Sequence, residues 1–254
     1  MSRKRAREPS LQKNKFTDLG CSRRVGTYAD KTNMKIYQQH QWPSTVDEAI
    51  NIQEQLRTQV ITTDQLPEPI QYIAGVDMGF TADGTISRAA VAILSFPDLQ
   101  VIETTLAHRP TIFPYIPGFL SFREIPAVLD ALEKVKIIPD IILCDGQGIA
   151  HPRRLGIASH LGLLVDIPTI GVAKSLFIGQ HQELAETKGS WQPLIHQGET
   201  IGAVLRTRTG VKPVYVSSGH RISLPTAIDY VLRCTLKYRL PETTRIADKL
   251  ASAK

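Results

Sequence analysis

With three cysteines, three methionines and two tryptophans in 254 residues, the chain has few of the side chains that several kinds of chemistry require. Cys21, Cys144 and Cys234 lie far apart and form no C-x-x-C pair, which excludes a disulfide framework and a zinc knuckle and fits a reducing compartment. A zinc deaminase needs Pro-Cys-x-x-Cys, and the chain has none. No apolar run approaches the roughly 18 residues that cross a bilayer, and the basic N-terminus is followed by no apolar signal segment. There is no internal repeat and no low-complexity tract. These absences lead to the expectation of a cytoplasmic protein, acting as a monomer and without membrane contact.

The chain has 42% hydrophobic residues and 16 scattered prolines, enough for one sizeable core. Its net charge of +6 is unevenly placed. Residues 1–35 hold ten Lys or Arg against Glu8, Asp18 and Asp30, a surplus of +7, so the rest of the chain is close to neutral at −1. The basic character therefore belongs to a polar leader that reads as disordered, and the high isoelectric point says little about the folded part. Three readings of the leader stay open: an inert tail, an arm that tethers nucleic acid or serves nuclear import, or a stretch ahead of a true start at Met34. The expected division is a leader over 1–37, a catalytic domain over 38–240 and a polar tail over 241–254.

The hydrophobic pattern predicts an α/β fold. Ser44 is placed to cap a helix bearing Val46, Ala49, Ile50, Leu56 and Val60, with Asp47 at the capping-box position. Gln71–Val76, Arg88–Phe96 and Gln100–Ala107 read as an antiparallel meander of three strands. A helix over 121–135, a strand over 139–144, a helix over 155–164, a strand at 169–172, two strands within 199–217 and a helix over 224–237 follow. The sum is a mixed sheet with helices packed on it.

Two places in this pattern carry chemistry. The apolar run Ile141–Cys144 ends on Asp145 and breaks into a loop with Gly146, Gly148 and His151, and the run Tyr72–Val76 ends in the same way on Asp77. Two carboxylates at the ends of buried strands repel each other unless a cation or a proton lies between them. A single Asp opening a glycine turn is common, so the pairing is what points to a metal site. Oxygen donors without thiolates select magnesium or manganese over zinc. Glu124 has a competing role, because Ser121 and Glu124 are spaced as a capping box. Tyr115, Ile116, Pro117 and Gly118 form either a proline-stiffened loop whose aromatic can enter a duplex or a turn packed on the core. His160, among small and apolar residues, reads as a packed or capping histidine.

The segments Tyr115–Glu124, Asp145–Gly162, Pro168–Ser175 and Gly219–Leu224, with Asp77 ahead of them, resemble the endonuclease V family from about Trp42 to Tyr238. The resemblance implies a ribonuclease H-like fold and a Mg2+-dependent endonuclease, Mn2+ substituting, which recognises deaminated purine, chiefly hypoxanthine, in DNA. Such an enzyme cuts the second phosphodiester bond on the 3′ side of the lesion. It further implies that Asp77, Asp145 and Glu124 hold the metal, that His151 and Lys174 serve the scissile phosphate or the attacking water, and that residues 115–118 are a wedge. Gly146, Gly148 and Gly171 would form walls of the pocket for the flipped base, and His220 lies in a matched motif. The segment Asp77-Met-Gly-Phe80 departs from the family at Gly79, where a small hydroxyl residue is common. Inosine in RNA is the alternative substrate, and a non-catalytic nucleic-acid-binding module is the alternative class.

Overall fold

The computed structural model describes residues 34–37 and 40–253. An eight-stranded mixed sheet runs in the order β3-β2-β1-β4-β5-β8-β7-β6. β1 (Tyr72–Phe80), β2 (Ile86–Ser95) and β3 (Val101–Pro110) form the expected antiparallel meander. β4 (Ile141–Cys144) lies parallel to β1, and β5 (Thr169–Ala173) parallel to β4. β6 (Trp191–His196), β7 (Glu199–Leu205) and β8 (Val214–His220) complete the sheet with antiparallel pairings.

Period-two alternation sorts the strands' side chains into two cores. Ala74, Val76, Val91, Ile142 and Cys144 face α2 (Leu120–Leu132) and α3 (Ile157–Val165). Ile73, Ala90, Leu143, Ile170 and Val216 face the opposite way, towards α4 (Leu224–Arg233) and α5 (Glu242–Ser252). All four residues of β4 are buried, as befits a central strand covered on both sides. α1 (Val46–Leu56) packs outside these layers, over the loop that precedes α2.

Several expectations need correction. The cap of α1 is Thr45, not Ser44: its side chain accepts from the Glu48 N–H, and Glu48 takes the Thr45 N–H in return. Asp47 lies only in the first turn. Asp77 does not end β1, which continues to Phe80 in register with β2; what ends beyond Val76 is the pairing with β4, because β4 is so short. Residues 1–33 of the expected leader lie outside the described residues, but Met34 is buried in the core and the Tyr37 N–H donates to the Leu164 carbonyl at 2.7 Å. β6 was not foreseen. The most consequential correction is at the C-terminus, where the expected polar tail is α5. Its buried face is Glu242, Thr243, Thr244, Ala247 and Ala251, with half-buried Ile246 and Leu250 packed on the same core, a stripe short and mixed enough to read as polar.

Candidate active site

The glycines of β1 bring α5 to the sheet. A Cβ on Gly75 would stand 2.2 Å from the Thr243 carbonyl, so the helix backbone rests on the strand backbone. Odd-numbered residues of β1 share this face, and Asp77 lies between Gly75 and Gly79. Asp145, one residue beyond Cys144, emerges on the same side of the sheet. Asp248, one helical turn after Thr244, completes the group. One carboxylate oxygen from each of Asp77, Asp145 and Asp248 lies within 4.8 Å of the others. They gather where the parallel pairing of β1 and β4 runs out, the carboxyl end at which open α/β sheets place their ligands.

Burial, and then the charge of Asp145, pushes the Asp77 carboxyl up to about 7. Asp145 is also raised by burial, against the opposing pull of Lys174. Lys174, just past β5, bonds Asp145 and lies 3.6 Å from Asp248. Burial alone would lower its ammonium, but the bond to Asp145 and the charges of Asp145, Asp77 and Asp248 outweigh that and hold it above the usual lysine range. Three partly buried hard-oxygen donors, two of them raised by burial, fit a hard divalent cation.

Glu124 arrives from the other face of the sheet, on α2, and so falls outside the tight carboxylate group. It is not a cap: α2 begins at Leu120 after Phe119, with no side-chain cap bond, and Ser121 lies within the helix. Burial, then Asp77 and Asp145, push the Glu124 carboxyl up to about 8. Glu124 and Asp145 line a cavity of about 330 Å³, together with Tyr115, Pro117, Gly118, Gly146, His151 and Lys174. That volume falls at the lower end of small-ligand sites, roughly 300–1,000 Å³. Tyr115 is 70% exposed at its mouth, which rules out a core tyrosine. Ile116 turns inward against the apolar cluster of α1 and α2.

His151 is engaged at both ring nitrogens. Burial, with Arg153 and Arg154 nearby, drives its pKa down to about 4, so the ring is neutral. Nε2 donates to the Gly118 carbonyl at 3.0 Å and Nδ1 accepts the Arg153 N–H at 3.2 Å. It ties the 115–118 loop to the loop after Asp145 and leaves no ring nitrogen free for a phosphate. Gly148 and Gly171 do not line the cavity. A Cβ on Gly148 would stand 2.1 Å from the Ser218 carbonyl, and one on Gly171 2.3 Å from the Gly148 N–H, so both are small because three backbone segments converge there. His220 lies apart, lining a different hollow with Asp166 and Arg221, and its Nδ1 accepts the Ile61 N–H at 3.3 Å. His160 is a packed histidine as expected, bonded to His40 at 2.7 Å and to Ser121 at 3.1 Å. Sequence reasoning missed Asp248, whose signal was the helical spacing of Ile246, Ala247, Leu250 and Ala251 around it.

A meander of three antiparallel strands joined to parallel strands, with carboxylates collected where the pairing of β1 and β4 runs out, is the arrangement of the ribonuclease H-like class. The sequence profile of Endonuclease V matches residues 54–249, and the chain belongs to the Endonuclease V family. It is 83% identical to Endonuclease V of Trichormus variabilis over 219 residues, which span 86% of this chain and 99% of that protein. The crystal structure of Endonuclease V from Streptomyces avermitilis superposes with a TM-score of 0.79 at 44% identity, covering 87% of this chain and 96% of the other. Endonuclease V of Ciona intestinalis, crystallised with a DNA containing an inosine followed by a ribo-adenosine, gives a TM-score of 0.73 at 29% identity over 81% of this chain and 95% of the other. The chain is thus an endonuclease, and its acidic group is one that could hold a divalent metal.

Proposed function

We propose that this endonuclease recognises hypoxanthine in DNA and hydrolyses the second phosphodiester bond on its 3′ side, with Mg2+ held by Asp77, Asp145 and Asp248. The observation that carries this reading is a tight carboxylate group beside a cavity of ligand size with an exposed tyrosine at its rim. When bound, the cation supplies positive charge against the scissile phosphate and the developing alkoxide. Glu124 is the further carboxylate of the site, protonated at neutral pH until a cation approaches. Lys174 presents its half-exposed ammonium to the phosphate from the rim. Tyr115 stacks where the base has left the helix, and Gly118 and Gly146 let backbone approach the extruded base. His151 orients the wedge loop.

The inosine-containing DNA bound by the Ciona intestinalis relative supports the substrate assignment. Its ribo-adenosine favours a second reading, inosine in RNA, since that relative accommodates a 2′-hydroxyl beside the lesion. The carboxylate group is complete within one chain and needs no residue of a second copy, in keeping with a monomer. Cys144 and Cys234 are free and buried, which fits the cytoplasm; among the described residues no helix is long and apolar enough to cross a membrane.

The test is incubation of the purified protein with Mg2+ and matched inosine-containing DNA and RNA strands. A single cut one nucleotide beyond the lesion's 3′ neighbour bond is expected on DNA, lost with EDTA and restored by Mn2+. Asp77→Asn and Asp145→Asn should abolish it while keeping part of the lesion binding. Full activity in either variant would overturn the site.

A further inference from the structure

The loop that carries Tyr115 is held from behind by a helix outside the sequence motifs. Ala49 of α1 packs with Phe113, Phe119 and Phe122, and Ile116 joins the same cluster. Within this seam Gln53, on the same helix, is completely buried. A buried amide is tolerated where its polar atoms are paired, and those of Gln53 are. Nε2 donates to the Gly118 carbonyl at 2.9 Å and to the Leu155 carbonyl at 3.5 Å, while Oε1 accepts from Arg153 Nε.

The Gly118 carbonyl is a meeting point. It also accepts from His151 Nε2 at 3.0 Å and from Arg153 Nη2 at 3.4 Å. Gly118 can turn its carbonyl inward because its φ is +87°, a conformation that suits glycine. The Arg153 guanidinium stacks over the Phe119 ring at 4.4 Å, so it is fixed on two sides. Gln53 therefore bonds, with one amide, both the loop that presents Tyr115 and the loop that runs from Asp145 to Arg154.

We propose that Gln53 is a positioning residue that sets the spacing between Tyr115 and the carboxylates, so that the aromatic enters the duplex in register with the phosphate to be cut. This rests on the reading of Tyr115 as the wedge. A loop already fixed in its working position loses little freedom on binding, and that gain matters only where a duplex must be opened.

The experiment compares kcat/KM, per folded molecule, on an inosine duplex and on the same strand alone. Gln53→Met keeps length and volume but removes both polar atoms; Gln53→Glu keeps the acceptor for Arg153 and sets an oxygen against the Gly118 carbonyl. Both variants should lose about three- to tenfold on the duplex, the scale of one hydrogen bond, with a smaller loss on the single strand. Tyr115→Ala added to Gln53→Met should cost little more on the duplex than Tyr115→Ala alone, the non-additivity of residues acting through one loop. Equal losses on both substrates, or additive losses in the double variant, would show a purely structural glutamine and overturn the proposal. A duplex defect in Tyr115→Ala without one in either Gln53 variant would sink the proposal alone. No duplex-selective defect in Tyr115→Ala would sink the wedge reading and this proposal with it.

Discussion

A Cβ on Gly79 would stand 2.3 Å from the Ala251 carbonyl oxygen, so α5 rests directly on the backbone of β1. That contact, with its counterpart at Gly75 and Thr243, seats the helix that brings Asp248 to Asp77. Overpacking a close contact costs about 1–3 kcal/mol. Gly79→Val should therefore lower stability to urea by about that much and weaken magnesium binding by displacing Asp248. Lowered stability with unchanged metal affinity would show that Asp248 does not depend on this seat.

Asp248 itself separates the two halves of that argument. Asp248→Asn leaves the seat intact and removes one negative charge. It should weaken magnesium binding by at least the roughly 10- to 100-fold typical of groups that only support metal ligands. Its melting temperature should stay close to wild type in the absence of metal. Deleting residues 241–254 should instead destabilise the whole domain, because Ala247 and Ala251 are fully buried in the core under the sheet. A stable, soluble truncation would refute the structural role of α5.

The carboxylates give the metal-free protein a pH signature. Asp77 at about 7 and Glu124 at about 8 lie above the ordinary carboxylate value near ~4. The folded state then keeps protons that the unfolded chain has already lost, so this contribution to stability is complete in acid and is lost as pH rises through about 7 to 8. His151, lowered to about 4, has the opposite sign: its contribution is complete above the ordinary histidine value of ~6.5 and is lost as pH falls towards 4. Above pH ~6.5 the raised carboxylates set the sign, and the metal-free melting temperature should fall between pH ~6.5 and ~8.5. Saturating magnesium should remove this fall, because the cation favours the deprotonated carboxylates. An alkaline fall of the same size with and without magnesium would dissociate these carboxylates from the metal.

How far the sequence disclosed this site depends on what each residue leans against. Asp77 and Asp145 were legible because each follows an apolar run, although at Asp77 it is the pairing with β4 and not the strand that ends. Asp248 was not, since α5 is short and sets threonines and alanines against glycines, and its stripe of Ile246, Ala247, Leu250 and Ala251 lies among charged residues. β6 escaped because it is an edge strand with Pro193 inside it and only Leu194 fully buried, so its pattern lacks the alternation of a half-buried strand. Gly148 and Gly171 were recognised as special but given the wrong reason, since a sequence shows that a side chain is absent but not what comes close in its place. The choice between wedge and core for Tyr115 depends on exposure, which three neighbouring residues do not encode.

The start of the folded domain is open to a direct test. Met34 is 6% exposed and packs in the same core as Ile125, Leu132 and Leu164. Removing residues 1–33 should leave the melting temperature and lesion cleavage near wild type and reduce only weak, salt-sensitive DNA binding, which their nine Lys and Arg would otherwise support. Removing residues 1–37 should lower the melting temperature, because it also takes Met34 and the Tyr37 bond to Leu164. Equal melting temperatures for the two truncations would show that this segment contributes nothing to the core.

Tyr115 is the residue on which the proposed recognition of the lesion turns. Its ring is 70% exposed at the mouth of the cavity, while Ile116 beside it anchors the loop to the apolar cluster under α1. Losing an exposed ring costs the fold little, so Tyr115→Ala should melt near the wild-type temperature. If the ring fills the gap left by the extruded base, the same variant should bind an inosine duplex more weakly by about 1–3 kcal/mol, the range for one aromatic–base stack. The ring lines the same cavity but is not one of the carboxylate group, which should survive, so cleavage at saturating enzyme should fall less than in Asp145→Asn. The defect should shrink on a single strand, where no duplex has to be opened. Melting temperature and lesion affinity measured on the same variant decide the matter: wild-type affinity in Tyr115→Ala, whatever its stability, would exclude the tyrosine as the wedge.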